Sequence, residues 1–381
     1  VTQGRRHPRK WPWIVLASLV VGVLVISAAI AYFGAQVLLT PHHGITTPAG
    51  DVVSLSDDEV TLPRSAASTR VGTYGLVWFD DDGDQAGTAI VGPVTESTDD
   101  TVTRPISNIT GALAVGTSVE LNPNIYEGDP SSSLGIPFTD VEIEGELGPM
   151  PAWHVDGTGS TWVLFVHGID GERQSALRPL PTLVDAGYPT LMITYRNDIG
   201  APPSPDGLID LGQTEWRDLD SAAAYAVNQG AASFILYGDS MGGSIVTRFM
   251  HESEYADQVA ALVLDSPVLK WSGVLDNQAE SLHLGLLSGP LKVAVSLRGD
   301  IDLAQLNELD QTDTFEGLPI LLFQGLADPL VPPAESRQFA DSLPDAVFVP
   351  VAEAGHIQSW NVDPVAYEEH LSTFLDGLAT R

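Results

Sequence analysis

The chain has 381 residues, 44% of them hydrophobic, with 50 acidic against 17 basic side chains and a net charge of −33. That length accommodates one large α/β domain and a smaller unit, and so acidic a surface repels nucleic acid and argues against a nucleic-acid-binding role. Cysteine is absent, so neither a disulfide framework nor a thiolate metal site enters the reading.

Residues 1–10 form a basic tail carrying Arg5, Arg6, Arg9 and Lys10. No charged side chain follows until Asp51, and "WIVLASLVVGVLVISAAIAYF" within that gap supplies the roughly twenty apolar residues that cross a bilayer core of about 30 Å. The run is longer than the roughly 7 to 15 residues of a cleaved signal's apolar stretch. Residues 11–40 therefore read as a transmembrane signal anchor, and the small residues of "SAAIAYFGAQ" keep cleavage open as the alternative. A basic flank ahead of the span places the N-terminus in the cytoplasm and everything beyond residue 40 outside, with the lipid bilayer as a partner. Without the tail's four cations the remainder carries near −37 and only two lysines, Lys270 and Lys292.

Residues 41–70 are rich in Pro, Ser, Thr and Asp without a sustained apolar period, which reads as a linker. From 71 to 135 short apolar runs such as "TYGLVWF" and "TAIVGPV" are bounded by Gly and Asp clusters, predicting β-hairpins in a small β-rich module. From 136 to 381 the texture changes. "WVLFVHG", "TLMITY", "FILYG", "ALVLD" and "ILLFQG" are continuous apolar runs, as in parallel strands buried on both faces, and they alternate with amphipathic segments. A hairpin at Gly148-Pro149 opens this part, which predicts a mostly parallel sheet with helices on both faces. Residues 269–316 contain helical pieces but no strand, so a helical insertion is expected over the C-terminal edge of the sheet, where ligands bind in open α/β folds.

"FILYGDSMGGSI" places Ser240 between Gly238 and Gly242, after a strand and before an amphipathic stripe of Ile245, Val246, Phe249 and Met250. A serine nucleophile needs a base, an orienting acid and donors for an oxyanion. Glycines on either side let a strand reverse sharply into a helix and display the hydroxyl as a nucleophile elbow. Asp328 in "GLADPLVP" and His356 in "EAGHIQSW" follow later strands in the acid-then-histidine order such a site requires. Asp265, at the end of "ALVLD", is the rival acid. The backbone N–H of Met241 is one candidate oxyanion donor, and that of Ile169, after "FVHG", is the other, with Asp170 next. His167 reads as structural. "TEWRDLD" at 214–220 reads as a helix start with solvated charges, and Trp271, Leu284 and Leu286 are candidates either for an acyl pocket or for packing of the insertion.

"FVHGIDG", "YGDSMGGSI", "GLADPLVP" and "EAGHIQSWN", taken together and in this order, resemble the α/β-hydrolase superfamily, and within it the serine-aminopeptidase-like and bud-emergence-46-like hydrolases. The resemblance implies an α/β-hydrolase fold over residues 136–381, a Ser240, His356, Asp328 triad, hydrolysis of carboxylic esters or thioesters, and no cofactor or metal. The partner is then a small-molecule ester or, in the alternative, a short peptide cut by an aminopeptidase. A catalytically silent envelope-binding module is the third reading. No stretch of the sequence sets an oligomeric state.

Overall fold

The computed structural model describes residues 11–80 and 82–379; the expected basic tail at 1–10 lies outside them. The first element is a helix of 29 residues, α1 (Trp11–Leu39), with no acidic or basic side chain in its terminal turns. Its segment Ile14–Leu39 has a mean hydropathy of 2.8 and is long enough to cross a membrane. Apolar side chains such as Leu19, Leu24 and Ile26 face outward, whereas Ala31, Ala35 and Leu39 are buried. The last two turns of α1 therefore belong to the core of the folded body.

An antiparallel sheet follows, built from β1 (Thr47–Asp51), β2 (Ser54–Leu55), β3 (Glu59–Pro63), β4 (Tyr74–Phe79), β5 (Gln85–Val91), β6 (Glu96–Ser97), β7 (Thr101–Gly111) and β8 (Ser118–Asn122). The strand order is β1-β8-β4-β5-β7-β3-β2, with β6 on β7. Three of these strands occupy the stretch read as a linker, and the difference has a simple cause. β3 alternates, with Val60 and Leu62 buried and Glu59 exposed. So short an alternation among Ser, Thr and Asp shows no sustained apolar run, yet it is enough for an inward face. Val60, Leu62, Tyr74, Leu76, Trp78 and Leu121 make the module's own core.

After a short capped helix, α2 (Pro130–Leu134), the second sheet begins. Its strands are β9 (Thr139–Gly145), β10 (Gly148–Val155), β11 (Thr161–Val166), β12 (Thr190–Ile193), β13 (Ser233–Asp239), β14 (Val259–Asp265), β15 (Ile320–Gly325) and β16 (Ala346–Val351). They are ordered β16-β15-β14-β13-β11-β12-β10-β9. β9 and β10 pair antiparallel with each other and β10 with β12, while every pairing from β12 through β16 is parallel. The continuous apolar runs are explained by two-sided burial. Leu164, Leu236, Leu262 and Leu322 point into one core layer, and Phe165, Tyr237, Val263 and Phe323 into the other.

Helices α4 (Trp216–Asn228) and α5 (Met241–Glu252) cover the first face through Leu219, Ala222, Ile245 and Phe249, and α8 (Pro333–Asp341) through Phe339. The opposite face is covered by α3 (Leu180–Asp185) through Leu183 and by α10 (Pro364–Ala379) through Tyr367 and Leu371, with the one-turn α9 (Ser359–Val362) just ahead of it. Between β14 and β15 lie α6 (Trp271–Ser281) and α7 (Ser288–Gly299), followed by short 3-10 turns; these helices form a cap.

Candidate active site

Ser240 occupies the one-residue turn between β13 and α5, at φ 51° and ψ −115°. Positive φ is costly for a non-glycine residue, and here the surroundings over-determine it. The Ser240 N–H donates to the Asp265 carbonyl at 3.0 Å, and its own carbonyl accepts from Gly243 and Val268 at 3.0 Å each. A Cβ on Gly238 would lie 2.7 Å from the Gly242 backbone, and one on Gly242 would collide with the Val166 carbonyl oxygen. The glycines are therefore what allow strand, turn and helix to approach so closely.

His356, in the loop after β16, has Nε2 2.7 Å from the Ser240 hydroxyl and Nδ1 2.8 Å from Asp328 Oδ2. Asp328, in the loop after β15, is held from both sides. Its Oδ1 accepts the N–H groups of Leu330 and Val331 at 2.8 and 3.0 Å, and Oδ2 accepts from Gln324 Nε2 at 3.2 Å. Gln324 is fixed in turn by the Ser336 hydroxyl at 2.6 Å. The fixed carboxylate places the imidazole proton on Nδ1, leaving Nε2 to accept from the serine hydroxyl.

Asp265 is close by but engaged elsewhere: its Oδ1 accepts the hydroxyls of Ser266 and Ser359 at 3.1 and 3.3 Å. It forms a buried cluster with Asp239 and Arg178, whose guanidinium is 3.7 Å from Asp239. Burial pushes both carboxyls above the usual range while Arg178 pulls them down. Arg178 also donates to the Ile357 carbonyl at 2.9 Å and to Asn361 Oδ1 at 3.0 Å, bracing the loop that carries His356.

The loop after β11 brings its backbone against the serine, since a Cβ on Gly168 would lie 2.9 Å from that of Ser240. Ile169 lines the same cavity. His167 holds this loop: Nδ1 donates to the Gly168 carbonyl at 2.8 Å, and Nε2 is 2.9 Å from Asp198. Burial disfavours its charged form, but Asp198 and the Gly168 carbonyl outweigh burial and the pKa is raised. Met241 begins α5, where the first N–H groups have no intrahelical partner.

A cavity of about 840 Å³ opens on Ser240 and His356. Besides the loops after β11, β15 and β16, three parts of the chain wall it: Leu38 and Ile45 from α1 and its continuation, Arg70 and Pro123 from the β-rich module, and Trp271 and Val274 from α6. Trp271 is buried and donates its indole N–H to the Leu211 carbonyl at 2.7 Å. Leu284 and Leu286 are not in this cavity; both are exposed, Leu286 at 97%. The module also grips the histidine loop. Thr73 N–H donates to the Asn361 carbonyl, Asn361 Nδ2 donates to the Thr73 and Pro123 carbonyls at 2.8 Å each, and Tyr74 O–H donates to Gln358.

Two of the charges of "TEWRDLD", Glu215 and Asp218, are not solvated, whereas Arg217 is exposed as expected. Asp218 is buried and takes two hydrogen bonds from the Arg196 guanidinium, at 2.8 and 2.9 Å, and one from its backbone N–H at 2.8 Å, while buried Glu215 accepts the Asp210, Gly212 and Thr214 N–H groups. The pair locks the segment after β12 to the start of α4, outside the cavity.

Comparison with known proteins agrees with this architecture. The family described as "Serine aminopeptidase, S33" matches residues 160–300, and "TAP-like protein" matches residues 300–378. A domain of unknown function (DUF8805) matches residues 51–122, which is the β-rich module. No curated protein matches the chain. Among solved structures, the Pyrococcus furiosus esterase Pf2001 is 21% identical with a TM-score of 0.54, over 66% of this chain and 94% of that one. A thermophilic esterase from Thermogutta terrifontis is 19% identical with a TM-score of 0.47, over 63% and 99%. With an eight-stranded mixed sheet, a strained serine turn and both parts of the hydrolase domain matched, the chain belongs to the α/β-hydrolase superfamily and is a serine hydrolase.

Proposed function

We propose that the protein is a membrane-anchored, extracytoplasmic hydrolase of carboxylic esters or thioesters, acting through Ser240, His356 and Asp328. The observation that carries this reading is the relay of 2.7 and 2.8 Å hydrogen bonds ending in a largely apolar cavity. His356 takes the serine proton as Oγ attacks the carbonyl. Asp328 keeps the imidazole oriented and stabilises its charged form. The N–H groups of Met241 and Ile169 receive the oxyanion, each worth about 3 kcal/mol in the transition state. His356 then returns the proton to the leaving alcohol or thiol, and water repeats the sequence on the acyl-enzyme.

Retention of α1 as a single-pass anchor is favoured by Ala35 and Leu39, which are fully buried in the hydrolase core and would leave apolar surface bare if the helix were cleaved away. The basic tail ahead of it favours a cytoplasmic N-terminus.

The second reading, an aminopeptidase, draws on the description of the matched family. Asp170 and Glu353 also line the cavity, but the walls contributed by Leu38, Ile45, Trp271 and Val274 favour an acyl chain. A fluorophosphonate probe tests the nucleophile: the protein is labelled and Ser240→Ala is not. Equal labelling of both, or of neither, refutes the assignment. A panel of p-nitrophenyl esters, thioesters and amino-acid amides then separates the two activities, with turnover expected on the first two.

A further inference from the structure

The cap carries a feature that ester hydrolysis at Ser240 does not use. The α6–α7 connection, residues 282–287, is apolar but for His283, and unpacked: Leu282, Leu284 and Leu286 are all exposed, and on α7 Val293 and Leu297 are exposed as well. An isolated exposed leucine needs no explanation, but a contiguous group beside a membrane-type helix does.

Its direction relative to α1 is fixed by contacts. Gly34 meets Leu291, Gln36 accepts from Arg298 Nε at 3.1 Å, and Leu39 meets Gly299. The two helices therefore run parallel in close contact. Gly34 and Ala35, beside buried Ala31, let the helices approach. α6 returns antiparallel to α7, with Asp276 receiving Lys292 at 2.6 Å and the Ser288 hydroxyl. The tip of this hairpin consequently points back along α1 toward its N-terminal, outward-facing part.

Depth follows from the helical rise. Leu286 lies in the 3-10 turn Gly285–Leu287 that leads into α7, five residues before Leu291, and at about 1.5 to 2 Å each this sets the tip roughly 7 to 10 Å beyond the level of Gly34, near Ala29. A bilayer core takes about twenty residues of helix, so a span starting at Trp11 reaches about Ile30. The first buried residue is Ala31, and exposed Tyr32 and Phe33 mark the border as interfacial aromatics do. Charge agrees with placement. Between Trp271 and Gly299, Asp276 and Glu280 are balanced by Lys292 and Arg298, on a chain whose net charge is −33. This part of an otherwise acidic body is not repelled by headgroups.

We propose that the α6–α7 hairpin is inserted in the outer leaflet beside α1 and admits acyl esters resident in the bilayer to Ser240. The path is the cavity-facing side of α6: Trp271 and Val274 line the cavity near the serine, Gln278 lies one turn further, and Leu282 follows at the tip. Substrates of this kind have an acyl chain that stays in an apolar environment from leaflet to cavity, and a carbonyl near the headgroup level. The proposal rests on α1 as a membrane span and on the ester-hydrolase reading.

The test uses the full chain in phosphatidylcholine vesicles. Because the protein has no cysteine, Leu286→Cys carries a single environment-sensitive fluorophore, and Phe33→Cys serves as the border reference. Insertion predicts blue-shifted emission from position 286, quenched by doxyl-labelled phosphatidylcholine. A label that is not quenched at 286 but is quenched at 33 overturns the proposal and leaves the anchor standing; burial against a second copy of the chain would give that same unquenched result.

Leu286→Asp gives the functional arm. It lowers kcat/KM at least tenfold on a long-chain ester embedded in the vesicle and leaves p-nitrophenyl acetate turnover unchanged. Equal effects on both esters overturn the proposal. Absence of p-nitrophenyl acetate turnover in the wild type instead refutes the ester-hydrolase reading, while the fluorophore still reports insertion independently.

Discussion

Asp265 closes β14 and Asp328 follows the neighbouring strand β15, so both stand close to the loop that carries His356. The difference between them lies in what each oxygen already holds. Asp328 presents Oδ2 to the imidazole with its other oxygen saturated by two backbone N–H groups, whereas Asp265 is occupied by Ser266 and Ser359. Asp328→Asn, which cannot hold the required tautomer, is expected to lower kcat on a short p-nitrophenyl ester by about 10⁴, and Asp265→Asn to keep most of its turnover. The opposite result would transfer the orienting role to Asp265. The order of serine, acid and histidine was readable because each follows a strand in a motif of local spacing. Arg178 was not readable, because its partners Ile357 and Asn361 lie far away in the chain; Gln324 stands only four residues before Asp328, but a glutamine near the end of a buried apolar strand does not announce which carboxylate it holds.

The start of α4 shows how an element can hide its role behind its composition. A run such as "EWRDLD" looks like a solvated helix start, because a buried ion pair and an exposed one use the same residue types. Only the tertiary partner Arg196 and the turn at 210–214 distinguish them. Burial raises the Glu215 pKa from 4.5 to about 7, with Asp210 contributing. The folded state thus binds this proton more tightly than the unfolded chain does. The associated stability is complete below about pH 4.5 and is lost as pH rises through about 7, by at most roughly 3 kcal/mol. Glu215→Gln removes this dependence. Melting temperatures between about pH 4.5 and 8 should fall more steeply for the wild type than for the variant, which has a lower overall stability because an amide group now faces backbone N–H donors. Parallel curves would show that Glu215 stays ionised throughout.

At the scale of the molecule, the β-rich module and the hydrolase domain share one loop. Gly72 adopts φ +105° and packs so closely on Asn361 that a Cβ would collide with its carbonyl oxygen. Gly72→Ala should displace the histidine loop and lower kcat by about 10- to 100-fold, with a smaller change in KM. An unchanged kcat with normal folding would show that the module is independent of the relay. The fold class of the hydrolase domain was legible from its apolar runs, because two-sided burial writes itself directly into sequence. The module's first three strands and its grip on residues 355–361 were not, since one-sided strands of two to five residues leave at most two buried positions each, and docking between units leaves no periodic signal.

The buried guanidinium of Arg104 in β7 carries a consequence for ligand selection. It has no carboxylate partner among the described residues; instead it donates to the carbonyls of Ser68, Gly72, Gly92 and Arg70. Those carbonyls belong largely to the segment that brings Ala66 and Arg70 to the cavity wall. This part of the wall is thus set when the chain folds, and residues 68–72 have little ordering entropy left to lose when a ligand arrives. A side of the cavity finished in advance sorts guests by shape there, turning away those that do not fit rather than remoulding itself around them.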